Sequence, residues 1–291
     1  MTPLNLRQLL AGNGLLALPG VYDGLSARLV EQAGFQAAFV SGAGVSFSRL
    51  GQPDLGLVSL TELADCVRQL REAVQIPLLV DMDTGFGNAL NTQRSVRLLE
   101  QAGAAGLQIE DQQMPKRCGH LKGKQVIATA EMVGKLNAAL DARQSDDTLI
   151  VARTDALGVN GFDDALERAE RYLATGVDAL FIEAPQTLAQ MQQISQQFAG
   201  RIPLVHNLVE GGRSPVHSNA ELAELGYRLA LYPVSLLHRF IPHAQQLLQH
   251  LASAGETRSL AASMTDLYGI NQLLGTDHLM ATSAKYAEED A

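Results

Sequence analysis

The sequence of 291 residues contains no tryptophan and only two cysteines, Cys66 and Cys118. Two cysteines cannot form the disulfide framework of a small secreted domain, and they fit a reducing compartment. No apolar run approaches the ~20 residues that a membrane-spanning helix needs. The first 20 residues also lack the basic and apolar regions of a signal peptide. We therefore expect a soluble cytoplasmic protein that does not act at a membrane.

Positive charge is scarce, because 22 Lys and Arg residues face 31 Asp and Glu residues, for a formal net charge of -9. This balance argues against nucleic-acid binding, and no basic helix or aromatic-interleaved basic patch contradicts it. The nucleotide fingerprints are also absent, both the Walker-type lysine motif and a Gly-x-Gly-x-x-Gly after the first strand. The expected partner is a small molecule.

Eight short apolar runs are present, most of them followed by a polar residue, and helix-like segments alternate with them. Apolar strands that alternate with helices indicate a parallel sheet covered on both faces, and eight such units predict a closed (β/α)8 barrel. The runs are residues 15–19, 37–41, 76–83, 105–111, 148–155, 179–183, 202–207 and 228–233. The clearest helical segments are residues 60–74, 91–102, 130–142, 163–174 and 188–198.

A weak internal repeat supports the barrel. Four times a helical segment ends at a glycine, which tolerates the left-handed conformation of a C-terminal cap, and an apolar run follows within a few residues. The four glycines are Gly34, Gly103, Gly176 and Gly226. With 46% hydrophobic residues, the chain can build one large core, and we expect a single domain over residues 1–291. Residues 240–291 would form a C-terminal helical extension.

Polar residues are concentrated where the predicted strands end. In a barrel these ends meet at one rim, where active sites are built. One acidic residue at a strand end often caps the next helix, but six strands that end this way are hard to explain by capping alone. The residues are Ser41, Asp81, Asp83, Glu110, Asp111, Arg153, Asp155, Glu183, Asn207 and Glu210.

Asp81 and Asp83 form the sharpest acidic element. Alternation along a strand sends both side chains the same way, and two adjacent carboxylates repel unless they are protonated or bridged by a cation. Ligands made only of oxygen suit Mg²⁺, or Mn²⁺, rather than Zn²⁺. Asp54 and Glu110 could complete the charge set, either as direct ligands or through water. The alternative for the aspartate pair is helix capping and solvated charge.

The segment Lys116-Arg-Cys-Gly-His120 is the most informative stretch of the chain. Cys118 stands between cations and an imidazole, and such neighbours stabilise a thiolate. Lys122 and Lys124 follow, so positive charge is concentrated locally on an acidic protein, as expected for an anionic substrate. The alternative is a solvated surface loop with an incidental cysteine.

Three further elements carry weaker signals. The Ser41–Gly44 turn exposes backbone N–H groups that could bind an anion, although such turns are common. Arg153 could clamp a substrate carboxylate with its planar guanidinium, or pair with Glu183 or Asp155. Residues 207–213 could hold a second carboxylate, or form the turn before Pro215.

These motifs together resemble the isocitrate lyase and phosphoenolpyruvate mutase superfamily, and the Cys-Gly-His motif resembles its carbon–carbon lyase branch. The resemblance implies a (β/α)8 barrel that forms homo-oligomers, usually tetramers built from dimers that exchange C-terminal helices. It implies Mg²⁺ held by Asp81 with Asp54, Asp83 and Glu110 around it, and catalytic roles for Lys116, Cys118, His120 and Arg153. The implied substrate-binding residues are Ser41, Gly42, Ala43, Gly119, Arg153, Glu183, Asn207 and His238.

The implied reaction cleaves the C2–C3 bond of a 2-hydroxy di- or tricarboxylate to pyruvate, or another 2-oxo acid, and a carboxylic acid. His238, with Arg239 beside it, stands where methylisocitrate-cleaving members carry an arginine. Another of their arginines is replaced near Met264. Fewer cations favour a 2-alkylmalate or 2,3-dimethylmalate over a tricarboxylate. The alternatives are cleavage of 2-methylisocitrate to pyruvate and succinate, decarboxylation or hydrolysis of oxaloacetate, and a non-catalytic carboxylate-binding barrel.

Overall fold

A computed structural model describes residues 5–119 and 123–287 of the chain. Eight parallel strands form a closed barrel in sequence order, and β8 closes it by pairing with β1 from Leu16 opposite Leu229 to Pro19 opposite Tyr232. The predicted barrel is confirmed. The strands are β1 (Leu16–Val21), β2 (Ala38–Val40), β3 (Leu78–Asp81), β4 (Gly106–Glu110), β5 (Leu149–Thr154), β6 (Ala179–Ile182), β7 (Leu204–Asn207) and β8 (Leu229–Tyr232).

Seven of the eight strands lie within a predicted apolar run, and β1 begins in the run 15–19 but continues two residues beyond it to Val21. One difference bears on the site, because β3 ends at Asp81 and not at Asp83. Asp83 has a φ of +48°, in the left-handed region that few non-glycine residues adopt, so the chain is already turning there. The alternation argument for Asp81 and Asp83 was therefore wrong, and a turn brings the two residues together.

Helices cover the outside of the barrel, and all five of the clearest predicted helices are present within two residues of their expected ends. The α-helices of the first part of the chain are α1 (Leu6–Ala11), α2 (Gly24–Gln32), α3 (Gly42–Val45), α4 (Leu60–Ala73), α5 (Ala89–Gln101) and α6 (Thr129–Ala142). They are followed by α7 (Phe162–Leu173), α8 (Leu188–Phe198), α9 (Asn219–Glu224), α10 (Ser235–Ala254), α11 (Leu267–Leu274) and α12 (Thr276–Ala284).

The four repeat glycines adopt the conformation that their positions predicted. Gly34, Gly103, Gly176 and Gly226 have φ values of +86°, +102°, +89° and +80°. Each follows the end of a helix and precedes a strand, so the left-handed cap turns the chain back toward the barrel. The internal repeat therefore reflects a recurring helix-to-strand connection.

Buried apolar side chains form two layers. The larger lies between the strands and the surrounding helices, and includes Val80, Ile109 and Ala152. The smaller fills the barrel interior with side chains such as Phe39, and Leu6 and Leu10 of α1 belong to it. Helix α1 thus closes the end where the strands begin, which leaves the opposite rim for polar groups.

The chain divides into two compact units, Met1–Leu236 with the barrel and Leu237–Ala291 with helices α11 and α12. The second unit begins three residues before the predicted extension. It also contains a short 3₁₀ helix, Arg258–Ser263. Within residues 5–119 and 123–287, no helix is both long and apolar enough to cross a membrane.

Candidate active site

Four buried carboxylates lie at the rim where the strands end: Asp54, Asp81, Asp83 and Glu110, here called the acidic cluster. Backbone contacts fix their spacing, because the N–H of Glu110 donates to the carbonyl of Asp83 over 2.9 Å. The backbone N–H of Asp83 donates to Oδ1 of Asp81 over 3.2 Å, and Nε2 of Gln108 donates to the same oxygen over 3.4 Å. The structure therefore brings the predicted metal-binding residues together.

Lys116 inserts its ammonium group into the acidic cluster. Its Nζ lies 2.6 Å from Oδ1 of Asp83 and also contacts Oδ1 of Asp54, and the residue is only 3% exposed. Burial opposes its charge, but the surrounding carboxylates outweigh burial and raise its pKa. Burial, with the charges of Asp81 and Asp54, raises the pKa of Asp83 to about 7 against the opposing effect of Lys116. One ammonium thus does not balance the cluster.

Arg153, near the end of β5, is buried among carboxylates. Its Nε lies 2.9 Å from Oδ2 of Asp155 and 3.3 Å from Oε2 of Glu110, and its Nη2 lies 3.6 Å from Oε2 of Glu183. The ion pair that competed with the substrate clamp in the sequence analysis is therefore present. Burial opposes the charge of the guanidinium, and the three carboxylates reverse this and raise its pKa. A role as clamp stays a prediction.

The segment that carries Cys118 lies over Arg153 and Glu183. We call residues 112–126, of which 120–122 lie outside the described part, the thiol loop. The backbone N–H of Cys118 donates to the carbonyl of Asp54 over 3.2 Å. Gly119 packs so closely that an added Cβ would collide with Nη2 of Arg153 and lie 2.8 Å from Oε1 of Glu183. A side chain at this position would have to displace Arg153 or Glu183, so glycine allows the loop to approach both.

Lys124 connects the far side of the thiol loop to the barrel. Its Nζ lies 2.6 Å from Oδ1 of Asp155 and donates a hydrogen bond to the carbonyl of Gly119. Sequence reasoning treated Lys124 only as local positive charge. Because Asp155 also binds Arg153, one carboxylate holds both the loop and the arginine. The ion pairs with Arg153 and Lys124 outweigh the effect of burial and lower the pKa of Asp155 to about 2.

The Ser41–Gly44 turn borders the acidic cluster. Oγ of Ser41 accepts a hydrogen bond from the N–H of Gly44 over 3.2 Å and caps the short helix α3. An added Cβ on Gly42 would lie 3.2 Å from Oδ1 of Asp83 and 3.4 Å from Oδ2 of Asp81. Ser41, Gly42 and Ala43 therefore lie where the prediction needs them, although contact with a substrate stays a prediction.

Glu183 and Asn207 also reach the rim, as predicted. Nδ2 of Asn207 donates to Oε2 of Glu183 over 3.2 Å, which joins the ends of β6 and β7. Nothing in the described structure of the barrel bears on two further predicted residues. His120 lies outside the described residues, and His238 belongs to the second unit, so the roles of both stay predictions.

The donor chemistry of the acidic cluster fits a hard divalent cation. All its donors are oxygens, and Oε1 of Glu110 is buried without a hydrogen-bond partner among the described residues. In the same part of the chain, no three His, Cys, Asp or Glu side chains converge closely enough to hold an ion by themselves. Mg²⁺ retains several waters in such sites, so the residues fit a hydrated ion with few direct ligands.

Comparisons with known proteins agree with this geometry. The sequence profile of the phosphoenolpyruvate phosphomutase family matches residues 6–252. The chain is 39% identical over 286 residues to a 2,3-dimethylmalate lyase of Eubacterium barkeri, with 98% of each chain covered. It is 42% identical over 257 residues to a 2-methylisocitrate lyase of Aeropyrum pernix, with 88% of this chain and 82% of the relative covered. A structure of oxaloacetate acetylhydrolase with 3,3-difluorooxalacetate matches with a TM-score of 0.92 at 31% identity, covering 99% of this chain and 97% of that one.

A closed barrel with polar groups gathered at the carboxyl ends of its strands defines the class of (β/α)8-barrel enzymes. The chain belongs to the phosphoenolpyruvate mutase and isocitrate lyase superfamily, as its motifs predicted. It is a carbon–carbon lyase, which confirms the predicted reaction class over the non-catalytic alternative.

Proposed function

We propose that the chain is a Mg²⁺-dependent lyase of 2-hydroxy dicarboxylates of the 2-alkylmalate or 2,3-dimethylmalate type. The products are pyruvate, or another 2-oxo acid, and a carboxylic acid. The observation that carries the proposal is the position of the thiol loop, whose Gly119 backbone lies against Arg153 and Glu183 beside the acidic cluster. A thiol, a buried arginine and an excess of carboxylates thus lie around one small volume.

Bound among these carboxylates, Mg²⁺ would supply positive charge that favours loss of the proton from the 2-hydroxyl group of the substrate. Asp81 would hold the ion, with Asp54, Asp83 and Glu110 around it through water. The high pKa values of Asp83 and Glu110 follow chiefly from burial and are reinforced by neighbouring carboxylates, and an added cation would relieve both causes.

The remaining chemistry belongs to the side chains of this protein. Arg153 would orient a substrate carboxylate, because a buried guanidinium can form two parallel hydrogen bonds with it. As the C2–C3 bond breaks, its electron pair stays on C3, next to the second carboxylate, and the 2-hydroxyl group, which gives its proton to a carboxylate of the acidic cluster, becomes a carbonyl. Cys118 would deliver its proton to C3 as the general acid. The closed thiol loop would exclude water from the carbanion.

A substrate panel tests the proposal. The purified protein is incubated with 2,3-dimethylmalate, 2-alkylmalates, 2-methylisocitrate and oxaloacetate, and 2-oxo acid release is followed with Mg²⁺ or after EDTA treatment. We expect the malates to be preferred, EDTA to stop turnover and Mg²⁺ to restore it. A tricarboxylate preferred by orders of magnitude would overturn the substrate class, and turnover resistant to EDTA would overturn the metal requirement.

Oxaloacetate hydrolysis is the second candidate, because an oxaloacetate acetylhydrolase shares the fold along 99% of this chain. Cys118→Ser tests the general acid, and the products separate the two reactions. General acid catalysis typically contributes about 10²- to 10⁴-fold to a rate, so cleavage of a malate should fall by that order. Hydrolysis of oxaloacetate also breaks a C2–C3 bond and leaves a carbanion on C3, so it should fall by a similar order, but it yields oxalate and acetate and no new 2-oxo acid. Cys66→Ala, which changes the buried cysteine outside the site, is the matched control.

We also infer that the protein forms a homo-oligomer. The second unit exposes large apolar side chains on α11 and α12, including Leu267 at 76% and Met280 at 67%. Exposed apolar surface of this kind marks an interaction site. On the first unit, an open and mostly apolar pocket of about 400 Å³ lies between β1, β8 and α2, with Leu29 and Phe35 among its lining residues. A tetramer of paired dimers would cover such surfaces.

A further inference from the structure

The side chain of Gln112, the first residue of the thiol loop, binds the backbone of Arg117 within the same loop. Its Nε2 donates to the carbonyl of Arg117 over 2.9 Å, and its Oε1 accepts from the N–H of Arg117 over 2.9 Å. One primary amide therefore satisfies both backbone groups of a residue five positions along the chain. Only this orientation of the amide pairs donor with acceptor in both bonds. Gln112 is 1% exposed, so water cannot replace either bond without moving the loop.

The backbone of Gln112 is fixed to the barrel. Gln112 forms an antiparallel bridge with Val126, and the N–H of Gln113 donates to the carbonyl of Gln125 over 2.8 Å. The preceding residue, Asp111, accepts hydrogen bonds from the hydroxyls of Thr154 and Tyr172 over 2.7 and 2.8 Å. The glutamine side chain thus extends from a rigid base.

Arg117, whose backbone Gln112 binds, lies between Lys116 and Cys118, the two side chains of the thiol loop with proposed roles. Lys116 is buried in the acidic cluster, Cys118 is half-buried, and Arg117 between them is exposed. A clamp on the backbone of Arg117 fixes both neighbours at once without touching either side chain. The side chains of Lys116 and Cys118 supply the charge and the thiol, and the hydrogen bonds from Gln112 determine where both side chains lie.

We propose that Gln112 is a positioning residue that holds residues 116–119 against Arg153 and sets the location of Cys118. The inference rests on the proposed function only for its kinetic consequence. The position of these four residues is a property of the unliganded protein and can be measured without turnover.

Hydrogen–deuterium exchange of peptides from residues 112–126 tests the clamp. Gln112→Leu removes both hydrogen bonds at similar volume, and Gln112→Glu keeps the acceptor but loses the donor at neutral pH. We expect exchange at Arg117 and its neighbours to rise about tenfold or more in Gln112→Leu, because losing a buried hydrogen bond shifts an opening equilibrium by that order. Gln112→Glu should fall between this variant and the unmodified protein.

Gln113→Leu is the matched control, since Gln113 is the exposed neighbour on the same segment. Its exchange should equal that of the unmodified protein. The alkylation rate of Cys118 by iodoacetamide should follow the same order as the exchange, while the thermal unfolding midpoint should not. If Gln112→Leu fails to fold, Gln112→Glu decides the question.

Exchange in Gln112→Glu equal to that of the unmodified protein would overturn the proposal. So would equal effects of Gln112→Leu and Gln113→Leu. With an active substrate in hand, Gln112→Leu should lower kcat more than it changes KM, because the loop acts after the carboxylate is bound at Arg153. Absence of turnover on every substrate would count against the proposed function and leave the exchange result intact.

Discussion

At the residue scale, the two cysteines show how environment separates residues of one type. Cys66 is completely buried in α4, and its Sγ donates to the carbonyl of Tyr22 over 3.4 Å. Burial raises the pKa of the Cys66 thiol to about 11. Cys118 is half-buried on the thiol loop, beside the buried ammonium of Lys116. The thiolate is the reactive form of cysteine, and a raised pKa keeps a buried thiol protonated. Cys66 should therefore be unreactive.

This contrast predicts selective alkylation. At pH 8, iodoacetamide should modify Cys118 and leave Cys66 unmodified over the same period. Mass spectrometry of the two cysteine-containing peptides measures both reactions in one sample. Labelling of Cys66 in the folded protein at a rate comparable to that of Cys118 would contradict the prediction, and denatured protein, in which both should react, is the control.

Asp83 makes a second prediction at this scale. Burial and neighbouring carboxylates raise its pKa to about 7, so its protonated form is favoured in the metal-free fold. A raised carboxyl pKa contributes stability that is present below the unfolded pKa and is lost as pH rises through the folded value. Metal-free protein should therefore lose stability between about pH 4 and pH 7 through this group.

Asp83→Asn should remove that loss. At pH 8 without metal, the variant should be more stable by roughly 4 kcal/mol, since the pKa rises by about three units and one unit corresponds to about 1.4 kcal/mol, and at pH 4 the gain should vanish. Denaturant unfolding at the two pH values measures it. Asp65→Asn, at an exposed carboxylate paired with Arg68, is the control and should change little at either pH. A gain at pH 4 as large as at pH 8 would refute the electrostatic cause.

At the element scale, helix α1 closes the barrel at the end opposite the site. Asn5 caps it, accepting from the N–H of Gln8, whose side chain accepts from the N–H of Asn5 in return. Leu6 is completely buried in the layer inside the barrel. Six residues cannot form a stable helix alone, so packing of Leu6 and Leu10 holds α1 in place.

Leu6→Ala should lower the free energy of unfolding by about 3 kcal/mol, because removing a buried leucine leaves a cavity. Leu90→Ala changes the same residue type at a 74% exposed position of α5 and should cost less than about 0.5 kcal/mol. Urea unfolding followed by circular dichroism compares the two. Equal losses would show that α1 does not seal the barrel interior.

The sequence pattern was sufficient to predict the barrel, because apolar runs recur in all eight units and glycine caps recur in four of them. Most of the acidic cluster was also predictable, since Asp81, Asp83 and Glu110 lie at or just beyond the ends of strands that meet at one rim. What could not be predicted depends on side chains from distant parts of the chain. The contacts of Lys116 with Asp54 and Asp83 and of Lys124 with Asp155 arise from a loop conformation without a sequence period. Gln112 was missed because a glutamine carries no chemical signal until both its partners are seen.

At the scale of the whole molecule, charge and apolar surface are distributed unevenly. The formal net charge is -9, yet Lys116, Lys124 and Arg153 lie together at the rim. The carboxylates around these three side chains outnumber them, so a small organic anion would contact individual cations and not a surface of positive potential. Apolar surface is left exposed in the second unit, where α10 carries Leu248 at 62% and Leu251 at 44% exposure.

The exposed leucines of α10 predict the assembly state. If copies of the chain bury them, Leu248→Arg with Leu251→Arg should disrupt the assembly, because an unpaired charge is costly in an apolar interface. Light scattering should then find a mass that shifts toward the 31.2 kDa of one chain. Gln246→Arg with Gln249→Arg adds the same charge to exposed polar positions of the same helix and should leave the mass unchanged. An unmodified protein that stays at 31.2 kDa at every concentration would show that these side chains are not covered by another copy.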